Sequence, residues 1–93
     1  MGNLKHLISG YFYELWDQHE YSSWEEAVDN FVQRSPRRAL RVPDEIDMLL
    51  TESVSDAALA TQLAEWGFDA APADGERAWL TQVQQRIKAD LQH

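Results

Sequence analysis

Apolar residues at Leu4, Leu7, Ile8, Tyr11, Phe12, Leu15 and Trp16 recur at i, i+3, i+4, i+7 and i+8, the spacing of a helix with one buried stripe. They predict a first helix from Asn3 to Trp16. The polar segment Asp17 to Ser22 breaks that period, and Ser23 then supplies an N-cap whose third following residue, Glu26, completes a capping box. A second helix therefore starts at Trp24. Its interior face is Trp24, Ala27, Val28, Phe31 and Val32, which turns Glu25, Glu26, Asp29, Asn30 and Gln33 toward water.

Ser35 followed by Pro36 opens a third helix, because proline at the first helical position loses no bond that the helix would have made. It carries Ala39, Leu40, Ile46, Leu49 and Leu50. Pro43 lies within it and removes the bond to the Ala39 carbonyl, so the helix should kink there or split into a short basic turn and a longer acidic helix. Ser55 with Asp56 begins a fourth helix with Leu59, Leu63 and Trp66 on one stripe, and Gly67 is placed to end it in a left-handed cap. Phe68 to Ala73 reads as a loop containing Pro72. Asp74 and Gly75 cap a last helix with Trp79, Leu80, Val83, Ile87 and Leu91 on one face and Arg86 and Lys88 toward its cation-favouring end. Nothing alternates with period two, and connections this short favour antiparallel neighbours. The expected fold is all-α: a compact single-domain bundle of about five short amphipathic helices over residues 1–93.

Composition agrees with a packed core. Hydrophobic residues make up 44% of the chain and include four Trp, three Tyr and three Phe, which excludes the low-hydrophobicity, aromatic-poor class of disordered acidic chains. The net charge of −8 is concentrated in two blocks. Between Lys5 and Arg34 there are six carboxylates (Glu14, Asp17, Glu20, Glu25, Glu26, Asp29) and no Lys or Arg; between Val42 and Glu76 there are nine, among them Asp44, Glu45 and Asp47, again with none. Arg34, Arg37, Arg38 and Arg41 separate the blocks. Such a field repels phosphate backbones and anionic lipid and attracts cationic partners. The N-terminus lacks the apolar core of a signal peptide, no apolar run approaches the roughly 18 residues of a membrane span, and there is no cysteine. A cytoplasmic protein without direct nucleic-acid or membrane binding is expected.

Candidate chemistry is sparse. His6, His19 and His93 lie far apart with no second ligand at metal spacing, so no metal site is expected. Asp44, Glu45 and Asp47 fall on the polar side of an amphipathic helix and read as a solvated face rather than a catalytic pair. Four glycines, at positions 2, 10, 67 and 75, form no phosphate loop, and the serines have no nearby base motif. Neither an enzyme nor a cofactor is expected. The arginine cluster stacks like charges at i, i+4, with Arg41 in reach of Glu45; it serves as an internal counter-charge to the acidic helices or as a site for an acidic partner. Trp24 beside Glu20, Tyr21, Glu25 and Asp29 has the make-up of an interface hot spot, an apolar anchor among steering charges, while its helical spacing equally suits a core position.

The order of signals from Gly10-Tyr11-Phe12 and Trp16-Asp17, through Ser23 and Glu25-Glu26-Ala27-Val28 with Phe31, Glu45-Ile46-Asp47 and Leu49-Leu50, to Ser55, Leu59, Leu63, Gly67, Ala73-Asp74-Gly75, Arg77 and Trp79-Leu80, resembles small immunity proteins of bacterial contact-dependent growth inhibition systems, the CdiI family. In this chain Leu15 stands where an acid is expected before the tryptophan, and Pro43 interrupts an otherwise continuous helix. The resemblance implies a cytoplasmic protein that binds the C-terminal toxin domain of a cognate effector as a 1:1 heterodimer and protects the producing cell. Such toxins are commonly nucleases, tRNase or DNase, whose basic grooves complement an acidic surface. The expected toxin-binding region is Asp17, Glu20, Tyr21, Trp24, Glu25, Glu26 and Asp29, with Asp44, Glu45 and Asp47 as the alternative face. The competing expectation is an acidic helical adaptor that bridges protein partners and uses the arginine cluster as its second site.

Overall fold

The computed structural model describes residues 2–12, 23–53, 55–68 and 75–92. Among these are six helical segments and no strand: α1 Gly2–Tyr11, α2 Trp24–Arg34, α3 Pro36–Ala39, α4 Val42–Glu52, α5 Asp56–Glu65 and α6 Glu76–Leu91. α1 ends at Tyr11, with the Phe12 N–H still donating to the Ile8 carbonyl at 3.0 Å. This is shorter than the predicted helix, and Leu15 and Trp16 lie outside the described residues.

Local chemistry sets most helix boundaries where the sequence predicts them. The extended Ser23 accepts the Glu26 N–H on Oγ at 3.2 Å and opens α2. Ser55 does the same for Ala58 at 3.1 Å and opens α5. Of the two outcomes Pro43 allowed, the split is the one found. The four-residue α3 is followed by a turn at Leu40 and Arg41, and Pro43 falls in the first turn of α4, where a missing N–H costs nothing. Gly67 has φ +91°; its N–H reaches the Ala64 carbonyl and the Phe68 N–H reaches Leu63, both at 3.0 Å, so two orphan carbonyls of α5 are satisfied. Gly75, also at φ +91°, precedes α6, while Asp74 lies outside the described residues.

α6 is the spine of the bundle. α2, α4 and α5 pack along it, and α1 lies against α2 and α4. Leu4, Leu7, Ile8, Phe12, Val28, Phe31, Ile46, Leu59, Leu63, Leu80, Val83 and Ile87 are fully buried, each worth about 1.5–3 kcal/mol over exposure. Trp79 gathers the aromatic part of this core: Phe12 meets its ring edge-on at 5.0 Å between centroids, Trp24 at 6.0 Å, and Phe68 lies tilted at 5.0 Å. Gln84 is the one polar residue buried as a whole among the described residues, and its side chain is satisfied. Its Nε2 donates to the Pro43 carbonyl at 2.8 Å and to Asp47 Oδ1 at 2.7 Å, tying α6 to the first turns of α4.

Candidate functional site

The helical period carries Glu25 and Asp29 along the edge of α2 that borders α6. Asp29 takes a two-bond fork from Arg86, Nε to Oδ1 at 2.9 Å and Nη2 to Oδ2 at 2.7 Å. Hydrogen bonding to Arg86 holds the Asp29 carboxyl below the usual carboxylate range against an opposing effect of burial, with Asp90 and the Arg86 charge adding to the lowering. The same bonds raise Arg86, and the charges of Asp90 and Glu25 act in the same direction. The result is one guanidinium set among three carboxylates. An open groove follows this seam, walled by Trp24 and Glu25 on α2 and by Gln82, Gln85, Arg86, Ala89 and Asp90 on α6, and a second hollow continues it past Asp29, Val32 and Gln33.

Of the residues the sequence picks out on this face, Trp24, Glu25 and Asp29 stand together along the groove, and Glu26 is exposed beside them. Asp17, Glu20 and Tyr21 lie outside the described residues. Two expectations are corrected. Glu25 and Asp29 are half-buried rather than fully turned to water, because α6 packs against that flank, and Asn30 is half-buried as well. The first acidic block also has a cation after all, Arg86, delivered from the far end of the chain where a linear scan of charge could not place it. Trp24 is half-buried: it rests on Trp79 and also forms a wall of the groove.

The alternative face is less uniform than the sequence suggests. Asp44 is exposed. Glu45 turns inward instead, its Oε1 accepting the N–H groups of Asn3 at 3.1 Å and Leu4 at 3.0 Å, and its Oε2 the Asn3 side-chain amide at 2.7 Å. It caps the positive end of α1 from across the bundle, so it belongs to neither a solvated face nor an ion pair with Arg41. Asp47 is exposed but accepts the Gln84 amide. Met48, which falls on the polar side of α4 in the helical period, is 53% exposed and lines a shallow hollow with Asp47, Thr51 and Glu52. Arg34, Arg37, Arg38 and Arg41 are all exposed; Arg38 donates to Asn3 Oδ1 at 3.3 Å, and none of the four forms an ion pair with a described carboxylate. Among the described residues, then, no ion pair supports the first of the two readings of this cluster, an internal counter-charge.

His6 is exposed, and His19 and His93 lie outside the described residues. Among the described residues no three His, Cys, Asp or Glu side chains form a group that could hold a metal ion. No described helix is long and apolar enough to cross a membrane. What the described surface offers is recognition chemistry: carboxylates, amides and an aromatic wall on a helical frame. No curated protein and no solved structure matches the chain. The family model of the CdiI immunity protein matches residues 1–87 of the 93, and the chain belongs to that family.

Proposed function

We propose that this protein binds and neutralises the C-terminal toxin domain of its cognate contact-dependent growth inhibition effector, in the cytoplasm and as a 1:1 complex, and that the toxin is a basic nuclease. Membership of the immunity family over residues 1–87 carries the reading. The net charge of −8 supports the nuclease, because a protein that must grip a phosphate backbone presents cations, and complementary fields speed encounter. The contact region is the α2 face: Trp24 as the apolar anchor, Glu25, Glu26 and Asp29 as the charges around it, with Asp17, Glu20 and Tyr21 contributed by the preceding segment. Asp44 and Asp47 form the alternative face. Glu45 is withdrawn from that face, since its carboxylate is engaged by α1.

Isothermal titration of the protein into the cognate toxin domain tests the claim. One-to-one binding is expected at a Kd near 1 nM or below, about −12 kcal/mol, because a toxin lethal in few copies must be held almost completely. Absence of binding by the folded protein rejects the function, and a tight complex with a toxin that is not a nuclease rejects only the finer assignment.

A further inference from the structure

Leu40, 61% exposed, and Met48, 53% exposed, are the two large hydrophobic side chains left open among the described residues, and both belong to one continuous stripe. Arg37, Leu40, Arg41, Asp44, Asp47, Met48, Thr51 and Glu52 are all exposed and follow one side of α3 and α4. Their charge is ordered. Arg37 and Arg41 occupy the N-terminal end of the stripe with Leu40 among them, and Asp44, Asp47 and Glu52 the C-terminal end with Met48 among them; the backbone at Leu40 and Arg41 stays right-handed helical, so Leu40 and Met48 lie about 12 Å apart at helical rise. Arg37 and Arg41 pair with no described carboxylate of their own chain, so the basic end is available.

A stripe that is positive at one end and negative at the other, with one exposed apolar side chain in each, is complementary to itself when turned end for end. That is the requirement for a two-fold interface, in which residue i meets residue j and j meets i. We infer that this stripe is a self-association surface on which a second copy of the chain docks antiparallel, Leu40 of each copy against Met48 of the other and the arginines of each facing Asp47 and Glu52 of the other. In this register Asp44 lies beside the two-fold axis and meets its own counterpart, flanked by the two Arg41 side chains. The contact is small, one helix and one turn per copy, which places it with weak, transient interfaces rather than obligate ones. The surface is built from different helices than the α2 groove, and the inference does not depend on the toxin reading.

Sedimentation equilibrium of the whole chain, without any partner, provides the test. At low ionic strength the weight-average mass should climb with concentration from the 10.7 kDa of one chain toward twice that value, and added salt should reverse the climb. Leu40→Ser, Arg37→Glu and Glu52→Arg should each weaken association about tenfold or more. The double variant Arg37→Glu with Glu52→Arg should restore it, because the two facing positions exchange sign together and remain opposite. Asp44→Asn should tighten association by removing the like charge at the axis. All these side chains are exposed, so circular dichroism should show an unchanged fold. A single-chain mass at every concentration overturns the inference, as does association that survives Leu40→Ser and Arg37→Glu, or a double charge reversal that fails to restore what each single reversal removed.

Discussion

Arg77 Nε donates to Asp56 Oδ1 at 2.9 Å while its two terminal nitrogens take the carbonyls of Leu50, at 3.2 Å, and Ser53, at 3.3 Å. One guanidinium at the start of α6 thereby satisfies carbonyls at the end of α4 and holds the first residue of α5. A lysine presents a point charge and cannot reach three acceptors held in this fork. Arg77→Lys and Arg77→Ala should both destabilise the protein by about 1–2 kcal/mol, the worth of two carbonyl bonds and a mostly exposed ion pair. In a domain of this size that lowers the melting temperature by roughly 4–8 °C per kcal/mol in a calorimetric scan. An unchanged Arg77→Lys would mean that the ion pair to Asp56, and not the carbonyl clamp, is what matters.

Glu45 gives a second structural prediction. It meets the N–H groups of Asn3 and Leu4, two donors that a helix cannot satisfy internally, and it does so with a full negative charge at the positive end of α1. Glu45→Ala should cost about 1–2 kcal/mol, in the range of a lost N-cap. The loss should be local. Hydrogen exchange of the first-turn amides of α1 should accelerate well before those of α6, whereas the neighbouring exposed Asp44→Ala should change neither.

Glu45 and Arg86 also mark the boundary of what the sequence reveals. The helices, the Ser23 and Ser55 caps, the Gly67 stop and the break near Pro43 are all legible, because each depends on residues within four or five positions of one another. Arg86 with Asp29 and Glu45 with Asn3 join residues 57 and 42 positions apart, and no periodicity reports such pairs. A count of charge along the chain therefore overstates how bare the acidic faces are. Met48 escaped for the opposite reason: its place in the period marks a solvent face, and an apolar residue on such a face is visible as an exception only once neighbouring burial is known.

The Asp29–Arg86 fork predicts a pH dependence. Asp29 has a folded-state pKa below its ordinary value, so its contribution is complete above the unfolded-state pKa of about 3.9 and disappears as pH falls through the lower folded value. In the wild-type protein this group should therefore steepen the loss of stability below about pH 4, and Asp29→Asn should flatten that limb. At neutral pH the same substitution should cost no more than about 1 kcal/mol, since both partners are substantially exposed. Urea unfolding at a series of pH values reads both effects. Parallel curves for the two proteins would show that the pair contributes nothing that titrates.

Two glycines should respond with opposite signs. Gly67 has φ +91° and nothing within 4 Å of where a Cβ would stand, so Gly67→Ala meets backbone strain and no clash; it should destabilise by about 1–2 kcal/mol, with Gly67→Asn closer to wild type. Gly10 is helical, exposed and equally uncrowded. Gly10→Ala should stabilise by up to about 1 kcal/mol through helix propensity, less if the nearby helix end frays. Chemical denaturation of the three variants checks the signs.

Charge placement separates the two candidate faces for the toxin. Because screened charges act mainly on encounter, reversing exposed acids on the contact face should lower the association rate and reduce its dependence on salt, while leaving dissociation nearly unchanged. Glu26→Lys should therefore slow association with the cognate toxin several-fold at low salt, and Asp44→Lys with Glu52→Lys should do so far less. Asp29 and Glu25 are best left alone, since reversing either would place a cation near Arg86 and confuse binding with folding. Trp24 calls for the complementary measurement. As a half-buried anchor on Trp79 it should act after encounter, so Trp24→Ala should raise the dissociation rate and Trp24→Phe, which keeps an aromatic edge there, should raise it less. Stopped-flow kinetics distinguishes the cases: if the α4 reversals slow association and the α2 reversal does not, the toxin meets the protein on α4, and Trp24 serves the core alone.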